Sequence, residues 1–440
     1  MKQNSNDQLL LSIDNFFTIS KRNSSLKQEI IGGVTTFLTM SYIIFVNPSI
    51  LSLAGMDKEA LITVTCLVSA FGTLLMAFMA NVPMALAPGM GLNAFFTFTL
   101  VLGQGVPWEV ALGVVFISGL FFMLLSLSGI RKRIASAIPT SLIIAASAGI
   151  GLFITFIGLQ NMKLIVANEA TLVSLGEFTV PTLLSLFGLV LMIALEVTKV
   201  KGSILIGIVA TTIMGMILGE IPIPSSFVSV PPSIEPIAFK LDIFGALKWS
   251  LASVIFSFMF IDMFDSLALL LSCAKQIGIK EKDGETLGIG RMLYADVGAT
   301  LVGSVLGTST VTSFGESAAG MAAGAKTGFA SVITAVLFLL ALFFTPIVFI
   351  VPVFAAAPAL VIVGVYMFRS IVEIDFSDIK IAIPAFVMIL LMPLTYSISV
   401  GLSFGFLTYI LTHAIIKEFN KISPAMWFVG LLSLLLFILG

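Results

Sequence analysis

The chain has 440 residues, 58% of them hydrophobic and 10% charged, with a mean hydropathy of +1.15 and a formal net charge of −1. A soluble globular protein carries about 25% charged residues, so that class is excluded, and the charge balance gives no reason to expect nucleic acid as a partner. At about 20 residues per span, the length holds roughly thirteen to fifteen transmembrane segments. The apolar runs lack the polar–apolar alternation of barrel strands, so the spans are expected to be helices.

Residues 1–29 form a polar arm with Lys2, Lys21, Arg22 and Lys27, which the positive-inside rule places in the cytoplasm. The arm is polar and the first apolar run is too long for a cleavable leader. Span one is expected from about Ile30 to Leu53 and span two from about Ala60 to Ala80. The third segment, Ala87 to Phe96, carries Pro88, Gly89 and Gly91, which argues for an extended piece followed by a short helix starting near Gly91. Span four (about Glu109 to Ser128) ends at the cytoplasmic marker Arg131-Lys132-Arg133. Spans five (about Ile138 to Gly158), six (about Pro181 to Val197) and seven (about Ser203 to Gly219) follow, and a Pro-rich loop from Glu220 to about Asp242 closes this half on the outside.

The second half repeats the pattern. Span eight (about Lys248 to Ser272) is followed by Lys275, Lys280, Lys282 and Arg291, again cytoplasmic, and span nine (about Leu287 to Leu306) carries Asp296. The tenth segment, Thr308 to Gly320, is Thr/Ser-rich and β-branched up to Phe314, which suits a strand. From Gly315 the residues are small, which suits a short, closely packed helix. Spans are then expected at about Thr327 to Ile350, Ala355 to Phe368, Ile379 to Thr395 and Ser399 to Ile416. Residues 423–440 form a further apolar run without an assigned place.

Each half thus has its broken segment in third position. An odd number of spans per half makes the halves opposite in orientation, the signature of an inverted repeat with its binding site at the repeat interface. Broken backbone at membrane depth survives only where protein or a water-filled cavity satisfies it. Cys66 and Cys273 lie in or beside apolar runs and read as packing residues, and His413, the only histidine, reads as interfacial.

Asn93, Asp262, Asp265 and Glu316 are expected to converge if the two broken segments face each other. Asp262 and Asp265, at i and i+3, share one helix face. Two such carboxylates disfavour double ionisation, so the pair is expected to hold a proton, as a proton-coupled carrier needs. Carboxylates accept N–H donors, and an Asn amide both gives and takes. Such a site suits a flat neutral ligand with donors and acceptors, whose faces Phe95 and Phe314 are placed to stack on. A strongly anionic ligand would want a basic residue at mid-membrane, and Lys326 is the only one near the broken helix.

Four stretches carry a resemblance: Gly33 to Pro48, Ala87 to Phe96, Asp262 to Ser266 and Gly307 to Gly320. In order and over almost the whole chain, they are similar to the nucleobase:cation symporter-2 family, and within it to the azaguanine-like branch of adenine/guanine/hypoxanthine permeases. The resemblance implies an all-α polytopic membrane protein, a seven-plus-seven inverted repeat in which spans 3 and 10 are each a short strand plus a half-helix. It implies a core domain (30–130 and 248–350) and a gate domain (131–219 and 351–422), with the loop 220–247 between the halves. It further implies proton-driven purine uptake by an elevator-like movement of the core at the cell membrane, with no cofactor beyond the coupling proton. Substrate-binding residues would then be Asn93, Phe95, Asp262, Phe314, Gly315 and Glu316, and proton-coupling residues Asp265, Asp296 and Glu316. A homodimer through the gate domain is left open, and so is sodium as the coupling ion.

The chain departs from the branch pattern at Phe314-Gly315 and at Ser266-Leu267-Ala268-Leu269, where a bulkier wall would bear on purine choice. Another small solute (xanthine, uracil or an organic anion) is the alternative within the fold. An intramembrane aspartyl protease is disfavoured, because both aspartates lie on one helix. A channel is disfavoured by the lack of a ring of selectivity residues.

Overall fold

A computed structural model describes residues 5–128, 139–224, 226–279, 281–282, 285–286 and 288–439. The markers Arg131-Lys132-Arg133 and Lys280 lie outside the described residues. Among those described, ten helices are long and apolar enough to cross a membrane, and three shorter apolar helices accompany them.

In chain order, the helices of the first half are α1 (Ser5–Phe17), α2 (Leu26–Met40), α3 (Ile43–Leu51), α4 (Lys58–Leu75), α5 (Met90–Ala94), α6 (Trp108–Ser128), α7 (Thr140–Asn161), α8 (Val180–Val197) and α9 (Ser203–Ile217). Those of the second half are α10 (Ile243–Ala246), α11 (Ala252–Gln276), α12 (Ile289–Leu306), α13 (Ser317–Ala322), α14 (Gly328–Ala341), α15 (Thr345–Ile350), α16 (Val353–Phe368), α17 (Ile379–Leu394), α18 (Ile398–Ile415) and α19 (Pro424–Leu439). Local chemistry sets several starts: Ser25 accepts from Gln28 N at the head of α2, and Asp57 from Ala60 N at the head of α4. Pro181 occupies the first turn of α8, where its lack of an N–H costs nothing. Residues 423–440, unplaced from sequence, contribute α19, which packs on α18 and α11.

Both broken segments have the expected strand-then-helix form. Strand β1 (Leu86–Pro88) runs into α5, which widens into a π-helix over Phe95–Gly103. Two hairpins lie between the halves' broken segments: β2 (Ile165–Asn168) with β3 (Leu172–Leu175), and β4 (Glu281–Lys282) with β5 (Glu285–Thr286). The second broken segment is β6 (Val311–Ser313) leading to α13. β1 and β6 pair antiparallel, with Leu86 opposite Ser313 and Pro88 opposite Val311. The ladder is extended by Gly89 N donating to Thr310 O (2.9 Å) and Phe314 N to Ala85 O (2.9 Å).

A two-stranded ribbon buried in a membrane protein leaves outer edges that must be satisfied. One threonine does this on each side. Thr73 of α4 accepts from Leu86 N (3.0 Å) and donates to Leu86 O (3.2 Å). Thr300 of α12 accepts from Val311 N (3.1 Å) and donates to Val311 O (2.7 Å). In each half the threonine sits on the helix before the strand and serves the strand's first residue, so the repeat shows in hydrogen bonding where residue identity hides it.

The helices sort into two groups by packing. α14 packs on α2 and α4, α12 on α4 and α6, α11 on α6, and α13 on α2; the β1–β6 ribbon lies among these. In the other group α16 packs on α7 and α8, α17 on α7 and α18, and α9 on α8. The α7–α16 contact is close because glycines face each other. A Cβ at Gly151 would lie 2.7 Å from the Gly364 carbonyl oxygen, and one at Gly364 would lie 2.5 Å from that of Gly151.

The N-terminal arm docks on the helices: Phe17 at the end of α1 and Ile19 just after it are buried. Arg22 Nη1 donates to the carbonyls of Asn81 (2.7 Å) and Lys326 (3.0 Å), and buried Glu29 accepts from Lys326 N (2.9 Å) and Thr327 N (3.2 Å). His413, in the last turn of α18, is buried against the Tyr409 ring (centroids 4.1 Å apart), with Nδ1 3.0 Å from Tyr409 O.

Candidate functional site

The acidic residues of the second half collect around the ribbon. Asp296 of α12 is fully buried, and both its oxygens are engaged: Ser266 Oγ donates to Oδ2 (2.6 Å) and Ser313 Oγ to Oδ1 (2.9 Å). Ser266 also lies 2.9 Å from the Thr312 hydroxyl. Asp296 therefore fastens α11 to β6. A carboxylate in hydrocarbon is costly unless its lone pairs are met, and here hydroxyls meet them.

Asp262, one turn before Ser266 on α11, is buried, and its Oδ1 has no hydrogen-bond partner among the described residues. It lies within electrostatic range of Asp296 and Asp265. Asp265, half-buried, lies within range of Glu316. Glu316 stands at the head of α13, where Tyr42 Oη donates to its Oε1 at 2.6 Å and Thr39 Oγ1 lies 3.4 Å from its carbonyl oxygen. None of these four carboxylates forms an ion pair with a Lys or Arg among the described residues.

Asn93 lies fully buried in α5. Its Nδ2 donates to Asn47 Oδ1 (2.6 Å), and Asn47 Nδ2 in turn donates to Thr65 (2.7 Å) and Thr308 (3.4 Å). The Oδ1 of Asn93 has no partner among the described residues. Phe95 is fully buried and stacked on Phe258 of α11, with centroids 4.6 Å apart and 18° between planes. Phe314 is buried while Gly315 beside it is exposed, and a Cβ at Gly315 would lie 3.4 Å from Leu269 Cδ2.

The carboxylates Asp262, Asp265, Asp296 and Glu316 therefore share one neighbourhood. Asn93 reaches into a separate amide–hydroxyl network, and Phe95 packs against α11. Sequence reasoning missed Tyr42, Asn47, Ser266 and Ser313 as partners of the predicted residues. Tyr42 and Asn47 lie in a run of otherwise apolar residues, and a polar side chain inside a span was the signal available.

A helical protein that crosses the membrane many times, with two broken segments paired at its centre beside carboxylates that have no ion pair to Lys or Arg among the described residues, is by class a membrane transporter. The permease-family profile matches residues 27–439. The chain belongs to this permease family, in the azaguanine-like branch its motifs resemble, and is not an enzyme. It is 50% identical over 398 residues to a putative permease of Methanocaldococcus jannaschii, covering 90% of this chain and 91% of that one. It is 43% identical to the guanine/hypoxanthine permease PbuG of Bacillus subtilis (96% and 99% covered) and 39% identical to the adenine permease AdeP of Escherichia coli (96% and 95%). Among solved structures, the transmembrane domain of a cyanobacterial bicarbonate transporter, BicA, shares the fold with a TM-score of 0.64 at 16% identity, over 86% of this chain and 97% of that one. SLC26A9 does so with a TM-score of 0.63 at 12% identity, over 94% of this chain and 70% of that one.

Proposed function

We propose that the chain imports purine nucleobases (adenine, guanine or hypoxanthine) across the cell membrane, driven by protons. The observation that carries the proposal is the set of carboxylates Asp262, Asp265, Asp296 and Glu316 around the ribbon, with no ion pair to a base among the described residues. Such groups can gain and lose protons with the state of the site, and they accept N–H donors of the kind a purine edge offers. The relatives named for guanine, hypoxanthine and adenine support this ligand class.

In this reading Asn93, Asp262, Phe314, Gly315 and Glu316 line the purine site, with Phe95 behind it, and Asp265, Asp296 and Glu316 couple the proton. The seven-plus-seven repeat divides into a core, the helix group around the ribbon, and a gate, the group built on α7 and α16. The core carries the site past the gate. The small-residue α7–α16 contact suits a gate that keeps its shape. Lys21, Arg22, Lys275 and Lys326 lie on the cytoplasmic side, with the N-terminus. The test is uptake of radiolabelled adenine, guanine and hypoxanthine in cells lacking purine permeases, with and without a protonophore and with sodium replaced. Saturable uptake of one purine that collapses with the proton gradient is expected. Gradient-insensitive or sodium-dependent uptake overturns the coupling, and uptake of no purine overturns the substrate.

A further inference from the structure

A chain of hydrogen bonds from α4 to α5 runs in one direction only. Thr65 of α4 is fully buried, and its hydroxyl donates to the Leu61 carbonyl at 2.6 Å. That hydroxyl has a single hydrogen, so toward Asn47 of α3 it can only accept, and Asn47 Nδ2 meets it at 2.7 Å. Thr308 Oγ1 lies 3.4 Å from the same nitrogen. With its nitrogen so engaged, Asn47 turns its carbonyl to Asn93, whose Nδ2 must be the donor at 2.6 Å. What Asn93 leaves free is its carbonyl: Oδ1 is buried without a hydrogen-bond partner among the described residues.

Helix α11 runs alongside the second broken segment in the same direction. The Ser266 and Thr312 hydroxyls lie 2.9 Å apart, a Cβ at Gly315 would lie 3.4 Å from Leu269 Cδ2, and Gln276 Nε2 donates to Ala318 O at 3.2 Å. One turn back from Ser266 therefore brings Asp262 level with Thr310, since four helical residues rise about 6 Å and two strand residues about 6.6 Å. At Thr310 the ladder is joined by Gly89 N (2.9 Å), and Gly89 leads directly into α5 and Asn93. Here α5 packs on α11, with Phe95 stacked on Phe258, one turn before Asp262. The Asn93 carbonyl, the Thr310 hydroxyl and Asp262 Oδ1 are all buried without partners among the described residues. Three unmet polar atoms on three elements thus collect in one place, as a site for a polar ligand requires.

We propose that Asn47 determines whether the site takes 6-amino or 6-oxo purines, by holding Asn93 with its carbonyl toward the ligand. The two classes are nearly isosteric and invert donor and acceptor along one edge. A 6-amino purine has an NH2 at C6 and a bare N1; a 6-oxo purine has a carbonyl at C6 and an N1–H. The imidazole N–H sits on N7 or N9 in both, so an acceptor there could not tell them apart. A fixed carbonyl on the inverted edge pairs with one class and meets a lone pair in the other, whereas an amide free to turn would take both. The Thr310 hydroxyl can give or take and imposes no choice. Asn47 acts through Asn93, as a positioning residue. The inference rests on the purine reading proposed above.

The test is isothermal titration of the purified full-length protein with adenine and with hypoxanthine. In the wild type the two Kd values are expected to differ by about tenfold or more. Asn47→Leu, which frees the Asn93 amide, should bring them within about threefold of each other. Asn47→Asp, which still accepts from Asn93 Nδ2, should keep the wild-type preference. A ratio unchanged in monodisperse Asn47→Leu protein overturns the proposal, and so does an Asn47→Asp protein that matches Asn47→Leu. Equal weakening of both purines, with the ratio kept, makes Asn47 a packing residue and overturns it too. A wild type that binds the two purines within about threefold of each other has no choice to explain and overturns it directly. If Asn47→Leu yields no monodisperse protein, Thr65→Val, which removes the acceptor that orients Asn47, decides by the same criteria. A wild type that binds neither purine overturns the purine reading itself, an outcome legible without any variant.

Discussion

Tyr42→Phe isolates the contact that aims Glu316. The substitution keeps the ring and removes the hydroxyl that donates to Glu316 Oε1 at 2.6 Å. A hydrogen bond to a charged group contributes about 1.5–3 kcal/mol. Glu316 is half-buried, so water can replace part of what is lost, and the lower end, about 1.5 kcal/mol, is the reasonable figure. If the hydroxyl holds Glu316 in its ligand-accepting position, that loss becomes about a tenfold rise in Kd, since 1.4 kcal/mol corresponds to a factor of ten. Isothermal titration of the purified protein with its purine measures it, and the melting temperature of the unliganded protein reports on folding. Thr39→Val is the control: its hydroxyl bonds the carbonyls of Thr35 (3.0 Å) and Thr36 (2.9 Å) and only approaches Glu316 O, so Kd should move less than twofold. A Tyr42→Phe protein that melts like wild type and binds within twofold of it would show that Glu316 is positioned by its backbone alone.

Glu316→Gln should abolish purine binding with folding intact, and normal binding by this variant refutes its role. Asp265→Asn should lower accumulation against a pH gradient more than it lowers affinity; paired flux and binding measurements check the order. Thr300→Val strands the buried N–H and C=O of Val311, and Thr73→Val those of Leu86. Each should cost about 1–3 kcal/mol, read as a lower melting temperature, and equal stability would refute the edge-satisfaction argument. Gly364→Leu drives a side chain into the Gly151 carbonyl and should cost about 1–3 kcal/mol or more through the α7–α16 contact, seen as lost monodispersity in detergent.

The broken segments were legible in the sequence because proline and glycine clustered together disfavour a continuous helix, and hydroxyl-rich β-branched runs favour extension. Pro88 and Gly89 end up in and beside β1, and Val311 to Ser313 form its partner. The carboxylates were legible because each is an anomaly within an apolar run. The partners Tyr42, Asn47, Ser266 and Ser313 were not, since a periodic pattern shows which face is apolar but not which helix will meet it. The hairpin from Ile165 to Leu175 also escaped: its strands are four residues each, and Leu172 and Leu175 are largely exposed, so burial left no alternation to read. The docking of the N-terminal arm depends on Glu29 and Arg22 finding backbone groups about 300 positions further along, which no local signal encodes.

The ribbon also governs how the chain can be made. The N–H of Ala85 is met by Ser317 Oγ, 232 positions later. At about 5–20 residues per second, a ribosome reaches that serine some 12–46 s after leaving Ala85. Throughout that interval the third segment is already synthesised and has none of its ribbon partners. It must be sheltered by insertion machinery, by lipid headgroups or by water until the second half arrives. The first half alone is therefore not a domain that biogenesis can finish early. A halted or split chain would present this unpaired strand to the cell's quality control, and co-expressed halves should recover only where each reaches the other before it is cleared.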